Sequence, residues 1–142
     1  MDYLLDTNVV SELRKSKTRK VDLNVYNWAK NVPANSMFLS VISLLELELE
    51  LGVLLVERRD RSQGAVLRSW LERRVLPAFS NRILSIDVPV ALKAATLHVP
   101  NPGSHRDAMI AATALVHGMT VVTRNLADFE RTGVTLLNPW ER

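Results

Sequence analysis

The chain has no cysteine in its 142 residues. That excludes a disulfide framework and any zinc site built on thiolates. No apolar run is long enough to cross a bilayer. The start, Met1-Asp2-Tyr3-Leu4-Leu5-Asp6, lacks the basic segment and cleavage site of a signal peptide, so a cytoplasmic address is the expectation. Glycine is scarce, at five residues, and no glycine-rich phosphate loop occurs. No serine or histidine stands in a local nucleophile signature, so covalent catalysis has no support. His98, His105 and His117 lack paired ligand spacing. No Asp-x-Asp phosphatase nucleophile occurs either.

What is present is 47% hydrophobic and 23% charged, the balance of a globular chain. The length suits one domain, expected over residues 1–142, with a core of real size. Net charge is +3. The basic residues gather in Arg14-Lys15, Lys17 and Arg19-Lys20, and again from Arg58 to Arg74. Each cluster alone is explained as a solvated surface. Beside an acidic pocket, the two would hold a polyanion.

Short apolar runs alternate with helical patterns. Strands are expected at residues 2 to 6, Met37 to Ile42, Ile83 to Ile86, Met119 to Thr123 and Val134 to Leu137. Helices are expected from Thr7 to Arg14, Leu23 to Asn31, Ser43 to about Arg59, Ala65 to Ala78, Val88 to Leu97, and Ser104 to Gly118. Arg61-Ser62-Gln63-Gly64 reads as a turn, Pro100-Asn101-Pro102-Gly103 as a rigid loop, and Leu126 to Arg131 as a helical turn. Alternation of this kind predicts a parallel sheet covered on both faces.

Acidic residues stand at four of the junctions. Asp6 closes the first strand, Glu46 follows the second, Asp107 opens a strongly apolar helix, and Asp128 follows the strand ending at Thr123. In a parallel sheet such junctions meet at one edge. Carboxylates gathered there repel one another and call for a hard cation such as Mg²⁺ or Mn²⁺. A structural role competes at each position. Asp6 is also a good helix cap, worth about 1 kcal/mol. Ser43-x-x-Glu46 and Ser104-x-x-Asp107 both have the form of a capping box. Asp128 is also an ordinary helix-start acid. The run Leu45-Glu46-Leu47-Glu48-Leu49-Glu50-Leu51 alternates as a strand does, but glutamate and leucine favour helix. On a helix, Glu46 and Glu50 share a face and Glu48 lies nearly opposite, so at most two of the three reach one site. Trp28, Trp70 and Trp140 are expected as core or interface anchors rather than base-stacking platforms.

Four segments carry a family resemblance. They are Leu4-Leu5-Asp6-Thr7-Asn8-Val9-Val10-Ser11-Glu12, then Leu39-Ser40-Val41-Ile42-Ser43 leading into Glu46, then Arg106-Asp107-Ala108-Met109-Ile110-Ala111-Ala112, and Val121-Val122-Thr123-Arg124-Asn125-Leu126-Ala127-Asp128-Phe129. In order and together they resemble the PIN-domain ribonucleases, most closely the VapC-like toxins of bacterial type II toxin–antitoxin pairs. The ending Leu137-Asn138-Pro139-Trp140 is similar to one branch of that family.

The resemblance implies an α/β fold: a PIN-like three-layer α/β/α sandwich on a central parallel sheet of about five strands. It implies a Mg²⁺-dependent endoribonuclease, with Mn²⁺ as a substitute. Its first acid maps to Asp6 and its third to Asp107. The second is Glu46 counted from Ser43, or Glu48 counted back from Gly52; Glu46 is preferred and Glu48 stays open. For the fourth, some members carry Asp where this chain has Asn125, and Asp128 matches another placement. Thr7, Asn8, Thr123 and Asn125 are expected to support the acids and substrate. The resemblance further implies a homodimer, an RNA substrate, a cognate antitoxin, and contact with DNA only through the antitoxin complex. A structure-specific DNA nuclease and a non-catalytic nucleic-acid-binding partner in a repressor complex are the competing readings.

Overall fold

The structure, a computed structural model, describes residues 1–99 and 103–141. The expected loop at Pro100-Asn101-Pro102 therefore lies outside the described residues.

The β-strands are β1 (Tyr3–Leu5), β2 (Met37–Ser40), β3 (Ile83–Leu84), β4 (Thr120–Val122) and β5 (Leu136–Leu137). They form one parallel sheet in the order β3-β2-β1-β4-β5. The chain builds outward from β1 to β2 and β3, then crosses back to add β4 and β5. The order therefore reverses beside β1, and in open α/β sheets ligands bind at that switch point, outside the carboxyl ends of the strands.

The helices are α1 (Thr7–Leu13), α2 (Leu23–Asn31), α3 (Val41–Gly52), α4 (Arg61–Trp70), the single turn α5 (Leu76–Ala78), α6 (Val88–His98) and α7 (His105–His117). Successive strand residues point to opposite faces. Leu4 and Val121 join Ile110, Ala111, Ala114 and Phe129 on one side. Leu5 and Val122 join Val9, Val10, Leu39, Leu47 and Val75 on the other. Both faces are thus buried under helices, which gives the expected three layers.

Several boundaries differ from the sequence expectation. β2 stops at Ser40, which caps α3 by accepting a bond from the Ile42 amide at 3.0 Å. The Ser43–Glu46 capping box is therefore not formed. Ser43 lies inside the helix, fully buried, and its hydroxyl has no partner. After Gly52 the helix widens into a π turn, Val53–Glu57. The expected turn at Arg61–Gly64 is the first turn of α4, capped by Asp60, whose carboxylate accepts from the Gln63 amide at 3.0 Å. The Leu55 side chain packs close over Gly64, so a Cβ there would require Leu55 to move aside. The helix expected to Ala78 passes through a second π turn, Leu71–Val75. Residues Leu126–Asp128 and Glu130–Thr132 form two 3₁₀ turns in place of one helical turn. At the end of α7, Gly118 takes the left-handed conformation (φ 67°), and its amide reaches back to the Ala114 and Leu115 carbonyls.

Candidate active site

The edge of the sheet at the carboxyl ends of β1 and β4 collects the acids. Asp6 is the residue after β1, and its amide donates to the Val122 carbonyl at 2.9 Å. That bond ties the end of β1 to β4 and aims the side chain into the switch point. The carboxylate is 7% exposed and well provided with donors. Its Oδ1 accepts from the Thr7 amide at 2.8 Å. Its Oδ2 accepts from the Thr123 hydroxyl at 2.8 Å and from Asn8 Nδ2 at 3.4 Å. Asp6 is therefore both the cap of α1 and the floor of the cleft. The two roles foreseen for it coexist.

Thr123 is fully buried and acts as a hub. Its oxygen also accepts from the Asn125 amide at 3.0 Å. Asn8 in turn accepts the Arg124 amide on its Oδ1 at 3.4 Å, which fixes the loop after β4 against α1. Thr7 turns its hydroxyl the other way and donates to Glu46 Oε1 at 2.7 Å. Residues 39 apart in sequence are so joined at one site.

Glu46 is in the second turn of α3 and faces this cleft. Arg106 Nη1 approaches its Oε2 at 3.8 Å. Glu48 does not join them. It leaves for the surface and makes a bidentate pair with Arg68 at 2.7 and 3.0 Å. Of the two glutamates left open by the sequence, Glu46 lines the cleft and Glu48 lies at the surface with Arg68. Asp107 stands in the first turn of α7, where Ser104 caps by accepting the Asp107 amide at 3.3 Å. Asp128 is in the 3₁₀ turn after β4, exposed, on the same rim.

The electrostatics tie the four acids into one site. Burial pushes the Asp6 carboxyl above the usual range; the bonds from Thr123 and Thr7 oppose this, and the charges of Glu46 and Asp128 add to it. The Asp107 carboxyl is pushed up to about 6, first by burial, then by Asp6, Asp128 and Glu46, with Arg106 opposing. The charges of Glu46 and Asp128 thus raise the cost of charging both Asp6 and Asp107, as expected of carboxylates arranged to share a cation.

Oxygen donors alone, with no sulfur, suit Mg²⁺ or Mn²⁺. Among the described residues, no three His, Asp or Glu side chains make a ready metal cage. That is compatible with Mg²⁺, which keeps several waters and takes only one or two carboxylates directly. The donor set fits the ion.

Two cavities take in these acids, two each. One, of about 430 Å³, is lined by Asp6, Thr7, Asn8, Ser11, Glu12, Lys15, Glu46, Arg124, Asn125 and Trp140. The other, of about 290 Å³, is lined by His98, Ser104, Asp107, Asp128, Arg131 and their neighbours. Sequence reasoning did not single out Glu12, Lys15, Arg106, Arg124 or Trp140 for this site. Arg106 and Arg124 had a signal, since each adjoins an expected site residue. Glu12 is held by the Asp22 amide at 2.9 Å and pairs with Lys15 at 3.3 Å.

The chain is similar to known proteins along nearly its whole length. The VapC ribonuclease Y4jK of Sinorhizobium fredii is 34% identical over 143 residues, covering 97% of this chain and 97% of that protein. Toxin FitB of Neisseria gonorrhoeae is 35% identical over 142 residues, covering 96% and 97%. The crystal structure of FitAcB from Neisseria gonorrhoeae superposes with a TM-score of 0.86 at 34% identity, covering 99% of both chains. The PIN domain family matches residues 3–134. A sheet whose switch point carries Asp6, with Glu46, Asp107 and Asp128 converging on it, and a family match across most of the length lead to one statement: the chain belongs to the PIN domain family.

Proposed function

We propose that this chain is a Mg²⁺-dependent endoribonuclease and the toxin of a type II toxin–antitoxin pair. The observation that carries the reading is the closeness of Asp6, Glu46, Asp107 and Asp128 at one edge of the sheet, where the Asp107 carboxyl is pushed up by burial and then by the charges of the other three. The relatives named as a ribonuclease and a toxin support it along nearly their whole length.

Asp6 and Asp107 would hold the ion directly, with Glu46 direct or through water. When bound, Mg²⁺, or Mn²⁺ in its place, supplies positive charge beside the scissile phosphate and makes water more acidic. The residues of the chain do the rest. Thr123 and Thr7 oppose the effect of burial on the Asp6 charge, and with Asn8 they aim its carboxylate. Thr7 fixes the Glu46 rotamer. Asp128, on the open rim, positions the attacking water and accepts its proton. Arg124 and Lys15 hold flanking phosphates without reading sequence.

An antitoxin fits the surface away from the acids. Val10, Leu13, Trp70, Val75, Ala78 and Phe79 line an apolar groove edged by Arg14 and Arg74. Arg14 stacks over Trp70 at 5.6 Å. An amphipathic segment with acidic residues matches such a groove. The exposed Leu45 and Leu49 of α3 are available to a second copy, giving a homodimer. DNA would meet the protein only through the antitoxin. Among the described residues no helix is long and apolar enough to cross a membrane.

Cleavage of a mixed RNA pool beside a DNA pool of matched sequence tests the substrate. RNA fragments alone are expected. DNA fragments alone would replace the reading with a DNA nuclease.

A further inference from the structure

Two residues of the larger cavity come from the segments after the last two strands. Arg124 follows β4, Trp140 follows β5, and the two strands are neighbours in the sheet. The Arg124 guanidinium lies over the Trp140 ring, 5.2 Å from its centroid. Both line the same cavity as Asp6 and Glu46.

The indole is held in place by its backbone. The Trp140 amide donates to Asn138 Oδ1 at 2.9 Å, and Asn24 Nδ2 donates to the Trp140 carbonyl at 2.8 Å. One edge of the ring packs against the core, and the residue is half-buried. Arg124 by contrast is exposed. The pairing is thus a fixed aromatic plate under a loose planar cation. At an exposed site such a contact is weak. A nucleobase stacks on an aromatic plate more strongly, and without regard to sequence.

We propose that Trp140 is a base-stacking platform for single-stranded RNA and that Arg124 is its phosphate-binding partner. The proposal rests on the ribonuclease reading of the acids and names how that site grips its substrate. One nucleotide satisfies both groups: its base displaces the guanidinium from the indole, and its phosphate receives the guanidinium in turn. The stacked nucleotide then adjoins the scissile phosphate at the acids. A cavity of about 430 Å³ has room for one nucleotide unit. Trp28 packs edge-on against Tyr3 at 5.3 Å, and Trp70, which also carries an arginine over its ring (Arg14, 5.6 Å), lines the apolar groove and not the cavity of Asp6 and Glu46.

The test has two arms. In the first, a mixed-sequence single-stranded RNA oligomer is titrated in EDTA, beside the same oligomer carrying abasic riboses. The readout is the emission of wild type minus that of Trp140→Phe. A change with the base-bearing oligomer and none with the abasic one is expected. Equal responses would overturn the platform. In the second, cleavage with Mg²⁺ is compared for wild type, Trp140→Phe and Trp140→Leu, with melting curves alongside. Trp140→Leu is expected to raise KM roughly ten-fold with a smaller change in kcat, and Trp140→Phe, which keeps a ring, to raise it less. A Trp140→Leu chain that melts with wild type and keeps its KM would overturn the proposal. If that variant does not fold, the emission arm decides. If wild type cuts no RNA, the ribonuclease reading fails, and the emission arm still decides whether Trp140 stacks bases.

Discussion

The Thr123 hydroxyl donates to Asp6 Oδ2 at 2.8 Å across the seam between β1 and β4. Both side chains are buried, and the bond joins residues 117 apart in sequence. It is the contact that makes an ionised Asp6 tolerable where burial opposes the charge.

Thr123→Val keeps the shape and removes that donor. A hydrogen bond to a charged group is worth about 1.5–3 kcal/mol, and a stability loss of that order is expected near neutral pH. The Asp6 carboxyl rises further, so the acid limb of the pH–activity profile moves to higher pH. Thr123→Ser restores both. Urea unfolding and the pH profile check this; an unshifted profile in Thr123→Val would count against it.

Ser40 and Ser43 exchange the roles that sequence suggests. Ser40→Ala loses the cap of α3 and is expected to cost about 1 kcal/mol. Ser43→Ala removes a buried hydroxyl without a partner, so it is expected to be neutral or slightly stabilising. Chemical denaturation of the two variants separates them, and the reverse ranking would restore the Ser43–Glu46 box.

Glu46 and Glu48 are two residues apart and face different surroundings. Glu46→Gln is expected to abolish or severely reduce cleavage with little loss of stability. Glu48→Gln breaks an exposed ion pair with Arg68, so it is expected to change stability little and to leave activity intact. Cleavage rates of the two variants at equal fraction folded decide. Inactivity of Glu48→Gln alone would reverse the assignment.

The architecture was legible in the sequence because period and punctuation are local. The five short apolar runs, the breaks at Pro33 and Gly118, and the Asp107 helix all follow from neighbours within a turn or two. The misreadings have long-range causes. Two serines three apart can both cap, and the register of β2 against β1 and β3 selects Ser40. Gly64 resembles a turn glycine until Leu55 is packed over it. Glu48 has the spacing of a site residue until Arg68, 20 residues on, claims it.

The raised carboxyls make cation binding depend on pH. Asp107 goes from an ordinary 3.8 to about 6 in the fold, so the folded chain holds its proton more tightly than the unfolded one. This group therefore favours the ion-free fold most at low pH, and that contribution declines as pH rises from about 3.8 to about 6. A bound cation needs the proton gone and acts in the opposite direction. The gain in Tm on adding Mg²⁺ is expected to be larger at pH 8 than at pH 5. An equal or larger gain at pH 5 would argue that Asp107 is not a ligand.

The most direct measurement is cleavage of a mixed RNA pool by wild type, Asp6→Asn and Asp107→Asn, each with Mg²⁺ and with EDTA, with folding verified by circular dichroism. The account predicts RNA fragments from wild type with Mg²⁺ and from no other combination. Folded Asp6→Asn and Asp107→Asn chains that cut as fast as wild type, or wild-type cleavage undiminished by EDTA, would contradict it.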